Sequence, residues 1–204
     1  MTPATPPATG GPAPATPPAP PADKVDVTAL MVPGPLGDQA LGDPKAPVTI
    51  VEYASMTCPH CQRFYEGPFK TLKTKYIDTG KVRFIFREFP LDALSAAAFM
   101  VARCAPPDKF FAVVDVLFDL QQDWAFVNDP GPAMFKVVQP IGFTQDSFNA
   151  CLDNQKILDG ISWVRDRAAN TFGVQGTPTF FFNGQRHEGE LDAGELDKLL
   201  APML

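Results

Sequence analysis

Cys58 and Cys61 stand with two residues between them in the run Cys58-Pro59-His60-Cys61, a spacing that lets two sulfurs close a small and easily reopened disulfide. The apolar, β-branched segment Val48-Thr49-Ile50-Val51 precedes them, so the expected setting is a strand-to-helix junction. A helix N-terminus offers partial positive charge to the sulfur placed there and favours thiolate over thiol. The thiolate attacks other disulfides, so the chemistry suggested is electron exchange with the cysteines of other proteins. Zinc binding is the competing use of such a pair. No second close Cys/His pair supplies the missing ligands, and no metal is expected.

The two other cysteines, Cys104 and Cys151, are far apart in the chain. An even count with one distant pair suggests an oxidising compartment in which that pair is a structural bridge; two buried free thiols are the alternative. A closed loop of about 48 residues would contribute roughly 4 kcal/mol in the chain-entropy account.

The elements that must position these groups are legible from periodicity and turn residues. Thr28–Val32 reads as an edge strand, and Gly42-Asp43-Pro44 turns the chain into the central strand Val48–Ala54. Helical periodicity runs from Pro59 to Ile77, with a kink expected at Pro68. Val82–Arg87 reads as a second buried strand, and strand-helix-strand order implies a parallel crossover. Ser95–Ala105, Pro107–Asp123, Pro132–Val138 and Gln145–Asp153 read as amphipathic helices, with Phe110, Phe111, Trp124 and Phe126 most simply their core and, for some, the alternative lining of a substrate groove. A helix over Gln155–Asn170 leads back to Gly176-Thr177-Pro178. The strand Thr179–Phe182, the tight turn Asn183-Gly184, a partner strand Gln185–Glu190 and a helix Ala193–Leu200 capped by Asp192 follow. His187 reads as a surface residue of that hairpin.

Composition sets limits. Residues 2–22 contain only Pro, Ala, Thr and Gly, nine of them Pro, and cannot bury enough surface to order themselves. That tract reads as a tail or as a spacer of roughly 60 Å in extended form. It lacks the parts of a signal peptide, so the chain is expected to start after one or after a membrane anchor. A net charge of -6 argues against nucleic-acid binding. No apolar run approaches the ~18 residues of a membrane-spanning helix.

The Cys58-Pro59-His60-Cys61 run after Glu52-Tyr53-Ala54-Ser55-Met56-Thr57, the helical insertion, and Gly176-Thr177-Pro178-Thr179 before a hairpin together resemble the DsbA family of bacterial envelope disulfide oxidoreductases. The second cysteine pair and the extra sequence Leu30–Leu41 look like its α-proteobacterial branch. The resemblance implies an α/β thioredoxin fold with an inserted helical domain. The expected divisions are a tail over 1–22, a thioredoxin-like domain over 23–90 and 161–204, and the insertion over 91–160.

The resemblance also assigns roles. Cys58 would be the exposed nucleophile and Cys61 the buried resolving thiol, with Pro59 and a partly protonated His60 between them favouring the thiolate. Glu52 matches a buried acid thought to assist proton transfer at the resolving cysteine; its basic partner has no clear match, with Arg87 and Glu88 standing in that region. Thr177-Pro178 resembles the cis-proline loop that leaves Thr177's N–H and C=O free for an extended peptide. The best-known strong oxidases carry Val before this proline, so Thr177 leaves the strength of oxidation open.

The implied partners are reduced or unfolded envelope proteins and a DsbB-like membrane reoxidant, and a periplasmic monomer, tethered through the N-terminal tract or free, is expected. No cofactor beyond the Cys58–Cys61 disulfide is implied. A disulfide isomerase or reductase, and a non-catalytic peptide-binding or chaperone module, are the alternatives.

Overall fold

Residues 23–204 are described by a computed structural model. The expected spacer over residues 1–22 lies outside the described residues. Among the described residues, five strands form one sheet: β1 (Gln39–Leu41), β2 (Val48–Ala54), β3 (Val82–Glu88), β4 (Thr179–Phe182) and β5 (Gln185–Glu188). Their spatial order is β1-β3-β2-β4-β5. β2 and β3 are parallel and the other pairings are antiparallel. A strand covered on both faces must be apolar almost throughout, and in β2 every residue but Thr49 is buried. Alternation divides its side chains between two cores. Val48, Ile50 and Ala54 join the core under the insertion, while Val51 and Tyr53 join the smaller core on the opposite face.

Among the described residues, ten α-helices accompany the sheet. The first is α1 (Val27–Leu30), where the sequence suggested an edge strand. Asp26 decides the difference: its carboxylate caps the helix by accepting from the Thr28 N–H at 2.9 Å. The edge of β3 is taken instead by Gln39–Leu41, in register with Phe84–Phe86. Gly42 then turns the chain at φ +87°, packed so closely on the Val82 carbonyl that a Cβ would not fit.

After β2 come α2 (Pro59–Glu66) and α3 (Pro68–Leu72), the latter running into a π turn over Lys73–Ile77. The single helix expected over this stretch is therefore divided. Gly67 leaves helical geometry at φ -129°, ψ -80°, and Pro68 opens the next helix where its missing N–H costs nothing.

The insertion contains α4 (Ala93–Cys104), α5 (Phe110–Asp119), α6 (Gln121–Trp124), α7 (Pro130–Val138) and α8 (Gln145–Leu152). The long helix expected over Pro107–Asp123 breaks at Leu120, which has ψ 23°. Phe110 and Trp124 are core as expected, whereas Phe126 is 55% exposed. Cys104, at the end of α4, is bridged to Cys151 in α8, with Cα atoms 5.9 Å apart. α9 (Gln155–Phe172) returns the chain to β4, and α10 (Ala193–Leu200) closes the fold behind a capping box of Asp192 and Glu195. The β4–β5 turn has φ 46° at Asn183 and 87° at Gly184, the left-handed pair a two-residue hairpin needs.

Candidate active site

Cys58 is the N-cap of α2 and Pro59 its first helical residue. Extended backbone at Cys58 (φ -83°, ψ 118°) places the residue before a helical turn whose first N–H groups have no intrahelical acceptor. Backbone N–H groups of Cys61 and His60 help hold the Cys58 thiol down, but the largest effect is a hydrogen bond from the Cys61 thiol. The Thr177 side chain, whose buried hydroxyl makes no hydrogen bond of ordinary geometry, lowers it further. These outweigh burial and bring the Cys58 pKa to about 5.

Cys61 moves the opposite way. Burial raises its pKa well above the usual thiol value, and its hydrogen bond to Cys58 and the charges of Cys58 and Glu52 add to that. Two sulfurs three residues apart are thus separated into a ready nucleophile and a thiol that holds its proton.

Both motif cysteines are free thiols and both are buried. The exposure expected of Cys58 is not found; it is 4% exposed. The reason is the Thr177-Pro178 loop, which has a cis peptide bond and faces the sulfur. When Cys58 is protonated, its Sγ–H donates to the Thr177 carbonyl at 3.3 Å; once the thiol ionises, above about pH 5, that carbonyl is released.

His60 also departs from expectation. Its ring is turned to Glu190, which accepts from both His60 Nδ1 and the Arg63 guanidinium. Its backbone N–H acts on Cys58, while its ring belongs to an exposed three-residue cluster. That cluster holds the Glu190 carboxyl down to about 2, chiefly through Arg63 and then His60.

Glu52 is fully buried, on the same face of β2 as Ile50 and Ala54. It accepts from the Tyr65 hydroxyl at 3.3 Å, and its Oε1 has no partner. Burial raises its pKa well above the usual carboxyl value, the Tyr65 hydrogen bond opposes this, and the Cys58 charge adds to it. Neither residue named for that region serves Glu52. Arg87 pairs with Asp38 at 2.9 Å and donates to the Tyr53 hydroxyl at 3.0 Å. Glu88 is buried against Arg103.

Sequence reasoning missed the residues that clamp the turn before Cys58. Gln121 Nε2 donates to the carbonyls of Met56 at 2.8 Å and Cys58 at 3.1 Å. Ser95 Oγ accepts from the Met56 N–H at 2.9 Å and from Ser55 Oγ at 2.8 Å. Thr57 Oγ1 donates to Asp92 at 2.7 Å, and Asp92 also caps α4. The insertion therefore holds the catalytic turn. A glutamine on the buried side of an amphipathic segment was the available signal for Gln121. Among the described residues, no group of three or more His, Cys, Asp or Glu side chains is placed to hold a metal ion.

A mixed sheet, a dithiol capping the helix after the central strand, and a cis-proline loop across from it define a thioredoxin-fold protein. Residues 36–201 match the family model described as Thioredoxin. The chain belongs to the DsbA family of thiol:disulfide oxidoreductases. It is 33% identical to Wolbachia pipientis alpha-DsbA1, covering 87% of this chain and 96% of that one, with a TM-score of 0.80. It is 33% identical over 152 residues to a Rickettsia typhi protein named as a protein-disulfide oxidoreductase, covering 74% of this chain and 56% of that protein. The chain thus spans about half the length of the curated relatives it matches. Bacillus subtilis BdbD, at 22% identity and a TM-score of 0.74 over 89% of this chain and 98% of that one, shares the fold.

Proposed function

We propose that the protein is a disulfide donor that oxidises reduced or unfolded proteins of the periplasm. The observation that carries this reading is the opposed environment of the two sulfurs, with Cys58 at about 5 and Cys61 pushed up. In the oxidised protein a substrate thiolate attacks Cys58 Sγ, the Cys58–Cys61 bond breaks, and Cys61 leaves and takes up a proton. A second substrate thiolate then attacks the substrate sulfur of the mixed disulfide. Cys58 leaves as a stabilised thiolate, and the substrate carries away the disulfide. A stabilised reduced form makes the disulfide oxidising; each pK unit of depression corresponds to about 1.4 kcal/mol before solvent screening is discounted.

The dithiol itself is the redox centre, with no added cofactor. A DsbB-like membrane protein restores the disulfide, and the protein acts as a monomer. Its exposed apolar residues Leu120, Phe126 and Val127 lie within six residues of Gln121 and suit contact with unfolded chains.

Redox equilibration against glutathione, run as a pH series, tests the reading. The expected potential is well above the roughly -270 mV of thioredoxin. A value near thioredoxin's would overturn the disulfide-donor assignment in favour of a reductase. The sign with pH is fixed by the depressed thiol. Its stabilisation of the reduced protein is complete above the unfolded thiol's pKa and fades as pH falls towards about 5.

A further inference from the structure

Each exchange cycle places a proton on Cys61 when it leaves and removes it when the disulfide reforms. Glu52, the nearby acid whose charge acts on Cys61, is fully buried and has no direct contact with water. Its single hydrogen bond is to the Tyr65 hydroxyl, at 3.3 Å. Tyr65 also lines a lateral cleft of 120 Å³ with Phe69, Lys70, Lys73, Asp115 and Asp119. At about 30 Å³ per water, such a cleft has room for several. Tyr65 is therefore the residue shared by Glu52's hydrogen bond and the cleft wall.

We propose that Tyr65 is a proton relay between Glu52 and this cleft, and that Asp115 is the group in the cleft that exchanges the proton with solvent. The proposal rests on the disulfide-donor reading and adds to it the route of the proton. When Cys61 leaves Cys58, protonated Glu52 supplies its proton through one intervening water, since neither carboxyl oxygen hydrogen-bonds Cys61 directly. Glu52 regains one from the Tyr65 O–H, which is refilled in the same motion from a cleft water in contact with Asp115. Tyrosine can do this as a neutral hydroxyl because its oxygen both donates and accepts. Burial and the charges of Glu52 and Asp115 keep it from ionising. Reoxidation runs the same chain outward.

Asp115 suits a terminal group that trades protons near neutrality. Partial desolvation in the cleft and the charge of Asp119 raise its carboxyl to about 6, against the lowering effect of Lys70 and Lys73. Lys73 is itself paired with Asp78 at 2.8 Å. The Tyr65 ring is held in place, stacked on Phe118 at 4.4 Å and against Phe69 at 4.5 Å. Tyr65→Phe therefore removes the hydroxyl and leaves the packing.

The test is rapid-quench reduction of the oxidised full chain by a peptide thiol, in H₂O and D₂O, between pH 4.5 and 8. Rates are expressed per substrate thiolate. The expected wild-type profile falls through a step near pH 6 and carries a solvent isotope effect. Tyr65→Phe is expected to slow Cys61 release about tenfold and to abolish both signatures, in the range of general acid–base effects. Asp115→Asn is expected to remove the step. Asp119→Asn should move it to lower pH, and Lys70→Gln or Lys73→Gln to higher pH. Those last three substitutions are at exposed positions, so they carry the test even if Tyr65→Phe unfolds the chain. Exchange with a flat profile in the wild type, or a step that ignores these charges, overturns the relay alone. Absence of any exchange at Cys58–Cys61 overturns the disulfide-donor reading and the relay with it.

Discussion

The two cysteine pairs of this chain use the same element in opposite ways. Cys58 and Cys61 lie on one helix, with their sulfurs in unlike surroundings: one over free N–H groups and the Thr177 hydroxyl, the other sealed in the core. Cys104 and Cys151 are 47 residues apart, at the ends of two helices inside the insertion, and are bonded to each other. A short loop closed by a disulfide restricts the unfolded chain little, and asymmetry leaves its sulfurs ready to exchange. A long loop restricts it strongly, so that bridge acts on folding. What distinguishes the pairs is environment and loop length, not sulfur chemistry.

The largest effect that could break this contrast is on exchange. Cys58→Ala should abolish oxidation of a reduced peptide, a loss of at least about 10³-fold as expected for a covalent nucleophile. The double variant Cys104→Ala/Cys151→Ala should retain it. A peptide-oxidation assay on both variants checks the pairing of roles, and equal losses would erase the distinction. The same double variant should lose up to about 4 kcal/mol of folding stability by the loop-entropy account. Denaturant unfolding with Cys58–Cys61 reduced throughout isolates that cost. Opening Cys58–Cys61 should leave a much smaller change.

A smaller effect is expected at the clamp. Gln121→Ala strands two buried carbonyls, at a cost of about 1–3 kcal/mol, and should raise the reactivity of Cys58 towards small alkylating agents as the turn loosens. Smallest is Thr177→Val, which removes one of several groups lowering Cys58. The thiolate absorbance titration should move to higher pH, with the midpoint still below that of an ordinary thiol. An unchanged midpoint would mean that the hydroxyl does not act on the sulfur.

Much of this was legible from residues alone, for identifiable reasons. β2 and β3 are buried on both faces and read as mainly apolar, β-branched and aromatic runs, Val48-Thr49-Ile50-Val51 and Phe84-Ile85-Phe86 at their centres. The left-handed turn at Asn183-Gly184 and the cap at Asp192 have local signatures that burial does not override. Thr28–Val32 misled because a four-residue helix and a short strand share the same apolar pattern, and only the Asp26 cap separates them. The site was legible where chemistry is local, at Cys58 and Cys61. It was hidden where partners are distant. Gln121, Ser95 and Asp92 reach the catalytic turn from 35 to 65 residues away, and Tyr65 was indistinguishable from a core aromatic of its helix.

Those distances carry a consequence in time. A chain made from its N-terminus presents Cys58 and Cys61 long before residue 121 exists to brace their turn. Residue 177, whose carbonyl and hydroxyl complete the surroundings of the Cys58 sulfur, comes 119 positions after it. An unfinished chain therefore holds two comparatively ordinary thiols. The Cys58 sulfur acquires its full surroundings only once residue 177 is made, after the other two cysteines, Cys104 and Cys151, are already in the chain and able to pair with each other.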